Sequence, residues 1–238
     1  MLLPDEKVKL LSMMEVLESL SQEDLRELSR RIPDTHVEKG RIFYTPEEKS
    51  EKLFMLKDGR VRLYTVAPDG RELTLTIVDS GQVFGEMSLT SQRLRGAYAE
   101  AMEPVVVCAM NRDQLEELVR DKPEVGIKLI SILSERLTLY ESRMEDIGLK
   151  EVPARLASLI LRLIDSEGVM TRTGIKIPNR YTHEQLAAMV GAKRETVTRA
   201  FGQLQELGAV EFKRRKIHIR DMECLERTAA LGVPTKVV

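Results

Sequence analysis

The residues Lys193, Arg194, Glu195, Thr196, Thr198 and Arg199 crowd into the stretch KRETVTR. Arginine can grip the O6/N7 edge of guanine with two parallel hydrogen bonds, and glutamate can accept from cytosine N4. The chemistry holds only if these side chains share one surface. At 100° per residue from Arg194, Glu195 lies near 100°, Thr198 near 40° and Arg199 near 140°. Val197, Ala200, Phe201, Leu204 and Leu207 fall on the opposite arc, between about 220° and 340°. A helix here is apolar on one side and carries base-reading groups on the other, all within its first two turns. A solvated, salt-bridged face is the plain alternative, with Arg199 paired to Glu195 one turn away.

A second cluster follows. AVEFKRRKIHIR alternates around four consecutive cations, Lys213, Arg214, Arg215 and Lys216. That pattern predicts a β-hairpin with a basic tip, suited to phosphate oxygens. A third cluster is FGEMSLTSQRLRGAYAEA, residues 84–101. Gly85, Glu86, Ser88, Arg95 and Gly96 could cradle a small anion between backbone amides and one arginine.

The flanking elements must position these groups. Thr182 caps a helix in THEQLAAMVG, with acidic Glu184 in its first turn and Gly191 at its end. Ala192 and Lys193 alone separate this glycine from the second helix. The result is a helix-turn-helix whose second helix can enter a DNA major groove. Upstream, residues 35–110 alternate apolar and polar positions between KG, DG, PDG and SG turns, the signature of antiparallel hairpins closing into a small β-barrel or jelly roll. Residues 5–31 have helical periodicity, and Ser21 with Asp24 reads as a helix start. Pro123 separates a short helix at 112–120 from a long one beginning near Glu124. In the long helix Ile130, Leu133, Leu137, Tyr140, Met144 and Ile147 recur at three- and four-residue steps. This heptad-like seam suits a second copy of itself, or the chain's own β-domain. An apolar helix spans 152–168. Residues 170–180 read as a short strand and loop, and the tail 229–238 carries no clear signal.

Charge divides the chain. From Lys150 onward there are 16 basic and 10 acidic residues, net +6; before it there are 21 and 28, net −7. The basic half is the candidate for a polyanion. No apolar run reaches the ~20 residues that span a bilayer, and the N-terminus lacks the pattern of a secretory signal. The two cysteines and three histidines of the chain are scattered. They form no metal-ligand spacing, and the expected location is the reducing cytoplasm. A cupin-type enzyme would need several ligands inside the roll, and His36 is the one histidine there. No catalytic residue is assigned.

Taken together, the cassette GEMSL…RLRGAYAEA, the long helix and VGAKRETVTRAFGQLQELGAV resemble the cyclic-AMP receptor protein/fumarate-nitrate regulator (CRP/FNR) family of bacterial transcription factors, over roughly residues 10–222. The resemblance implies an α+β chain in three parts. These are an N-terminal antiparallel β-roll like a cyclic-nucleotide-binding domain (1–121), a dimerisation helix (122–150) and a C-terminal winged helix-turn-helix (151–238). It implies a homodimer on a pseudo-palindromic promoter site of double-stranded DNA, an activator's contact with RNA polymerase, and no membrane partner. Thr182, Lys193, Arg194, Glu195, Thr196, Thr198 and Arg199, with Lys213 to Lys216, would touch DNA. Glu195 and Arg199 would read G·C pairs. Ile130, Leu133, Leu137, Tyr140, Met144 and Ile147 would form the dimer interface. An effector, a cyclic nucleotide or another small anion, would meet Gly85, Glu86, Ser88, Arg95, Gly96, Tyr140 and Glu141. The chain departs from the cyclic-AMP pattern in having Gly96 for a serine, and Tyr140 and Glu141 for two hydroxyl residues. Glu86 and Arg95 therefore serve either an effector or an ion pair within an effector-free roll. The family's iron–sulfur sensing needs N-terminal cysteines that are absent here.

Overall fold

A computed structural model describes residues 4–46, 52–85, 97–172 and 174–233. It divides into two compact units, Met1–Val66 with Thr74–Thr138, and Ala67–Leu73 with Leu139–Val238.

The first unit opens with α1 (Pro4–Ser12), a 3-10 turn (Glu15–Leu17) and α2 (Gln22–Arg31). The Ser21 hydroxyl accepts from the Asp24 amide and the Asp24 carboxylate accepts from the Ser21 amide, so the expected α2 start is a complete capping box. Two four-stranded sheets follow. One runs β1 (Asp34–Val37), β8 (Val105–Asn111), β3 (Lys52–Asp58), β6 (Val83–Phe84); the other runs β2 (Ile42–Tyr44), β7 (Tyr98–Ala101), β4 (Val61–Val66), β5 (Glu72–Val78). The pairings registered within both are antiparallel. Between β3 and β4, Gly59 has φ +85°, and a Cβ there would lie 2.8 Å from the Pro104 carbonyl oxygen. Only glycine makes this turn.

Strand β3 is buried on both faces. Phe54 and Leu56 enter a core with Tyr44, Leu63, Phe84 and Val107, which lies between the sheets. Phe84 stacks on Phe54 with ring centroids 4.9 Å apart, and Phe43 meets both edge-on. Leu53 and Met55 point the other way, into a second core closed by α1, α2, α3 (Arg112–Asp121) and α4 (Pro123–Leu149). Cys108 sits in this second core, and burial pushes its thiol up to about 11, so it is packing rather than a reactive group.

The second unit holds α5 (Val152–Glu167), α6 (His183–Val190), α7 (Arg194–Glu206) and α8 (Met222–Leu231) around a sheet ordered β11 (Val210–Lys213), β12 (Lys216–Ile219), β10 (Gly174–Ile177), β9 (Val169–Thr171). One expectation needs correction. Strands β9 and β10 pair with each other antiparallel, where a single short strand and a loop are expected. Part of the tail belongs to α8, where Asp221 caps the helix and Cys224, Leu225, Thr228 and Ala229 are buried. At the join of α4 and α5, buried Asp146 receives Lys150 at 2.7 Å and Arg162 at 2.9 Å. Burial works to raise its carboxyl, but those two hydrogen bonds outweigh it and hold the group below the usual aspartate value.

In the β-roll unit Lys57 Nζ and Asp34 Oδ1 form a buried charge pair at 2.5 Å, their side chains 1% and 5% exposed. Removing one partner strands the other in an apolar interior. Asp34→Ala should therefore lower unfolding free energy by about 3–5 kcal/mol. Thermal denaturation reads this, and Asp34→Ala with Lys57→Met should recover most of the loss.

Candidate nucleic-acid interface

The helix-turn-helix is built by three local devices. Thr182 Oγ1 accepts from the Gln185 amide and Gln185 Oε1 accepts from the Thr182 amide, a capping box that starts α6. Gly191 ends it in the left-handed region, φ +67°. Arg155, reaching from α5, donates from Nη1 to the Val190 carbonyl at 3.0 Å and fixes the turn from behind. Helix α7 then presents the two faces expected of it. Val197, Ala200, Phe201 and Leu204 are at most 2% exposed, whereas Leu207 lies at the rim, 36% exposed. Lys193, Arg194, Glu195, Thr198 and Arg199 are exposed and Thr196 is half-buried. Arg194, Glu195 and Arg199 enter no ion pair among the described residues, so the salt-bridged alternative, Arg199 with Glu195, is not what the side chains form.

Thr198 has a further task. Its hydroxyl donates to the Arg194 carbonyl at 2.9 Å. It therefore accepts from His183 Nδ1, 2.8 Å away, which places the imidazole proton on Nδ1. The His183 ring packs on Phe201, with centroids 5.7 Å apart, and on Phe212, with centroids 5.0 Å apart. Phe201 and Phe212 themselves lie 5.0 Å apart. This wedge joins α6, α7 and the wing. Burial first, and then Arg194, hold the His183 imidazole below its usual value, so it is neutral near pH 7.

The wing is the hairpin β11–β12, with Lys213 paired to Lys216 across the turn. Its two turn residues are Arg214 at φ 53° and Arg215 at φ 63°. Both lie where glycine and asparagine are at home, and a two-residue hairpin turn with both φ positive normally carries Asn-Gly. The tip is anchored by the Tyr181 amide, which donates to the Arg215 carbonyl at 3.0 Å. Tyr181 is in turn held through its hydroxyl by Glu167 at 2.6 Å. Sequence reasoning missed His183, Tyr181, Glu167 and Phe212. A lone histidine or tyrosine gives no signal until its packing is seen.

Of the effector-directed residues, Glu86, Ser88, Arg95 and Gly96 lie outside the described residues. Gly85 follows β6 with φ +88°. Tyr140 is half-buried and Glu141 exposed on α4. Sequence reasoning also passed over Arg136, whose guanidinium donates to the Val83 carbonyl on the strand that leads into the cassette. On α4, Ile130, Leu133, Leu137, Met144 and Ile147 are 42–73% exposed, as is Ile127 one turn earlier. Among the described residues no group of three or more His, Cys, Asp or Glu side chains could hold a metal, and no helix is long and apolar enough to cross a membrane.

Comparison with known proteins completes this geometry. Residues 34–122 match the cyclic nucleotide-binding domain and residues 154–228 the Crp-like helix-turn-helix domain. The chain is 30% identical to the global nitrogen regulator of Synechocystis sp. over 80% of its own length and 85% of the relative's. The chain belongs to the CRP/FNR family of transcription regulators. It is also 29% identical to a CRP-like cAMP-activated global transcriptional regulator of Mycobacterium tuberculosis, covering 85% of this chain and 90% of that one. A CRP/FNR-family transcriptional regulator from Thermus thermophilus superposes with a TM-score of 0.70 at 27% identity, over 83% of this chain and 98% of that one. A CooA mutant from Carboxydothermus hydrogenoformans shares the fold, with a TM-score of 0.77 over 91% and 95% at 24% identity. This is a family of DNA-binding regulators and not of enzymes.

Two arginines in the left-handed region are strained by roughly 1–3 kcal/mol each. Replacing them by Asn-Gly should raise the melting temperature of the protein while weakening its binding to duplex DNA. Calorimetry and a fluorescence-anisotropy titration would show the opposed effects. A stabilised variant with undiminished affinity would mean that the tip does not touch DNA.

Proposed function

We propose that the chain is a homodimeric, sequence-specific transcription activator of the cytoplasm. It binds a two-fold related promoter site, contacts RNA polymerase, and needs no added effector to bind DNA. The observation that carries this reading is the exposed, unpaired set Arg194, Glu195 and Arg199 on the first two turns of α7, beside a wing whose tip is basic. Arg199 and Glu195 would read a G·C pair in each half-site, from its guanine and its cytosine edge. Thr182, Lys193, Thr196, Thr198 and Lys213 to Lys216 would fix the register on phosphates. The exposed apolar side chains of α4 support dimerisation, because a row of isoleucine, leucine and methionine at three- and four-residue steps is unfavourable in water. Two recognition helices one helical turn apart, about 34 Å, would then meet adjacent major grooves.

Effector independence is supported by Gly96, Tyr140 and Glu141, which replace the hydroxyl groups of a cyclic-AMP pocket. A glutamate is costly beside a buried neutral base. The match of residues 34–122 to a cyclic nucleotide-binding domain favours a second reading, in which the roll holds a cyclic nucleotide or another small anion. Affinity for a duplex selected from a random pool, measured on ligand-stripped protein with and without cyclic AMP, separates the two. Full affinity without nucleotide supports the first reading, and a large gain on its addition supports the second.

Arg199→Ala should weaken binding to the selected duplex by about 10- to 100-fold and relax preference at one base pair of each half-site. Unchanged specificity would remove Arg199 from the base-reading role. Leu137→Glu combined with Ile130→Glu should yield monomers in analytical ultracentrifugation and a marked loss of affinity for the two-fold site. A variant that sediments as a dimer would place the dimer interface elsewhere.

A further inference from the structure

The outward face of the wing sheet holds more positive charge than the turn alone accounts for. Lys176 on β10 lies opposite His218 on β12, and His218 lies opposite Glu211 on β11, so the three share one face of the sheet. Lys213 and Lys216 continue that face by the two-residue alternation of a strand. Lys176, Lys213, Lys216 and His218, with Arg180 and Arg214, line an open basin of about 730 Å³. Its cations repel one another. The Lys216 ammonium is held below the usual lysine value by Lys176 first, then by burial and by Arg180. The carboxylate on this face, Glu211, is already engaged by Lys213 at 2.5 Å and by Arg220. Those pairs hold its carboxyl down at about 2, so it remains an anion at any working pH and is saturated with partners. Lys176, Arg180, Lys216 and Arg214 are left without a carboxylate partner among the described residues.

A basin of unpaired cations around an imidazole is a site for an anion that can spread over several donors. We infer that Lys176, Arg180 and His218, together with the wing tip, form a subsite for a phosphate of duplex DNA flanking the half-site, and that filling it places a proton on His218. The inference rests on the DNA-binding reading above and extends the interface beyond the recognition helix and the turn.

The linkage has a definite sign. In the DNA-free protein, burial first and then Lys176, Arg220 and Lys213 disfavour the imidazolium of His218, and Glu211 opposes them. The ring is therefore neutral near pH 7. A phosphate between Lys176 and Lys216 offsets that repulsion and favours the charged ring. Binding takes up protons, so affinity rises as pH falls from 8 toward the value at which the DNA-free ring is itself protonated. Below that pH the gain levels off. The groups facing His218 are Lys176 from β10, Glu211 and Lys213 from β11, and Lys216 and Arg220 from its own strand and its end. His218 is the one imidazole among them. His183 is shifted in the same direction but acts in the opposite sense. Its Nε2 is buried with no partner among the described residues, so protonating it in acid weakens the α6–α7–wing wedge instead of strengthening binding.

A phosphate contact needs no particular base sequence, so the test uses two duplexes, one selected from a random pool and one of unrelated sequence. Affinities of the full-length protein are measured from about pH 8 to pH 6 and over a roughly sixfold range of salt, with thermal melts to check that each variant is folded. The wild-type protein should bind both duplexes several-fold more tightly at the acid end of that range than at the alkaline end. His218→Gln should lose that pH dependence. Lys176→Gln and Arg180→Gln should each reduce the slope of log affinity against log salt by about 0.9 for every phosphate contact removed. Carbon–proton spectra of the histidine rings should show His218 becoming protonated when either duplex is added at neutral pH. Salt slopes and pH profiles unchanged on both duplexes in all three variants would overturn the inference. Loss of the difference between the two duplexes, with the pH and salt effects intact, would count against base reading by α7 and leave the phosphate subsite standing.

Discussion

The DNA-facing geometry depends on one packed contact, the wedge of His183 between Phe201 and Phe212. Phe201 belongs to the recognition helix, Phe212 to the wing, and His183 to the helix before the turn. A single neutral imidazole, with its proton on Nδ1 and directed at Thr198, sets the distance between the charged arc of α7 and the basic hairpin of the wing. The wedge is apolar at its centre and hydrogen-bonded at its edge. The charged arc of α7 can then face outward without a counterion, because Val197, Ala200, Phe201 and Leu204 on the opposite arc are buried.

Positive charge is concentrated where it is least compensated. In the wing, Arg214 and Arg215 occupy backbone conformations that a stability-driven turn would give to Asn-Gly. In the β-roll, by contrast, the buried Lys57 is matched by Asp34, and in the α4–α5 junction Asp146 is matched by Lys150 and Arg162. Those buried charges are paired, whereas Arg194, Glu195 and Arg199 on α7 and Lys176, Arg180, Arg214 and Lys216 around the wing enter no ion pair among the described residues.

Much of this is legible in the sequence. The two-residue separation of Gly191 from Arg194 specifies the helix-turn-helix. The angular split of α7 foretells its buried face, because a 3.6-residue period leaves few alternatives. Asp-Gly and Ser-Gly turns mark the roll, and Pro123 marks the start of α4. Helix α8 escapes a sequence reading because its apolar residues are spread around it, Met222 and Leu231 as well as the buried Cys224, Leu225 and Ala229, so the buried stripe emerges only when α5 is in place to receive it. The β9–β10 hairpin escapes it because its strands are too short to show alternation. The turn type of the wing is illegible, since two arginines argue against it and tertiary anchoring through Tyr181 overrides their preference. The basin around His218 arises from cross-strand register, which pairs Lys176 with a residue distant in sequence.

The central claim is that two recognition helices of one dimer read two half-sites at a separation set by the protein. It is tested most directly by changing the DNA. With the selected two-fold site, about five base pairs, half a helical turn, are inserted between the half-sites, and affinity is compared with that for the original spacing. Half a turn places the second half-site on the far side of the duplex, so affinity should fall to that of a single half-site, and insertion of a full turn should not restore the original complex. Equal affinity at the original and the half-turn spacing would mean that each chain binds DNA alone, and would contradict the account.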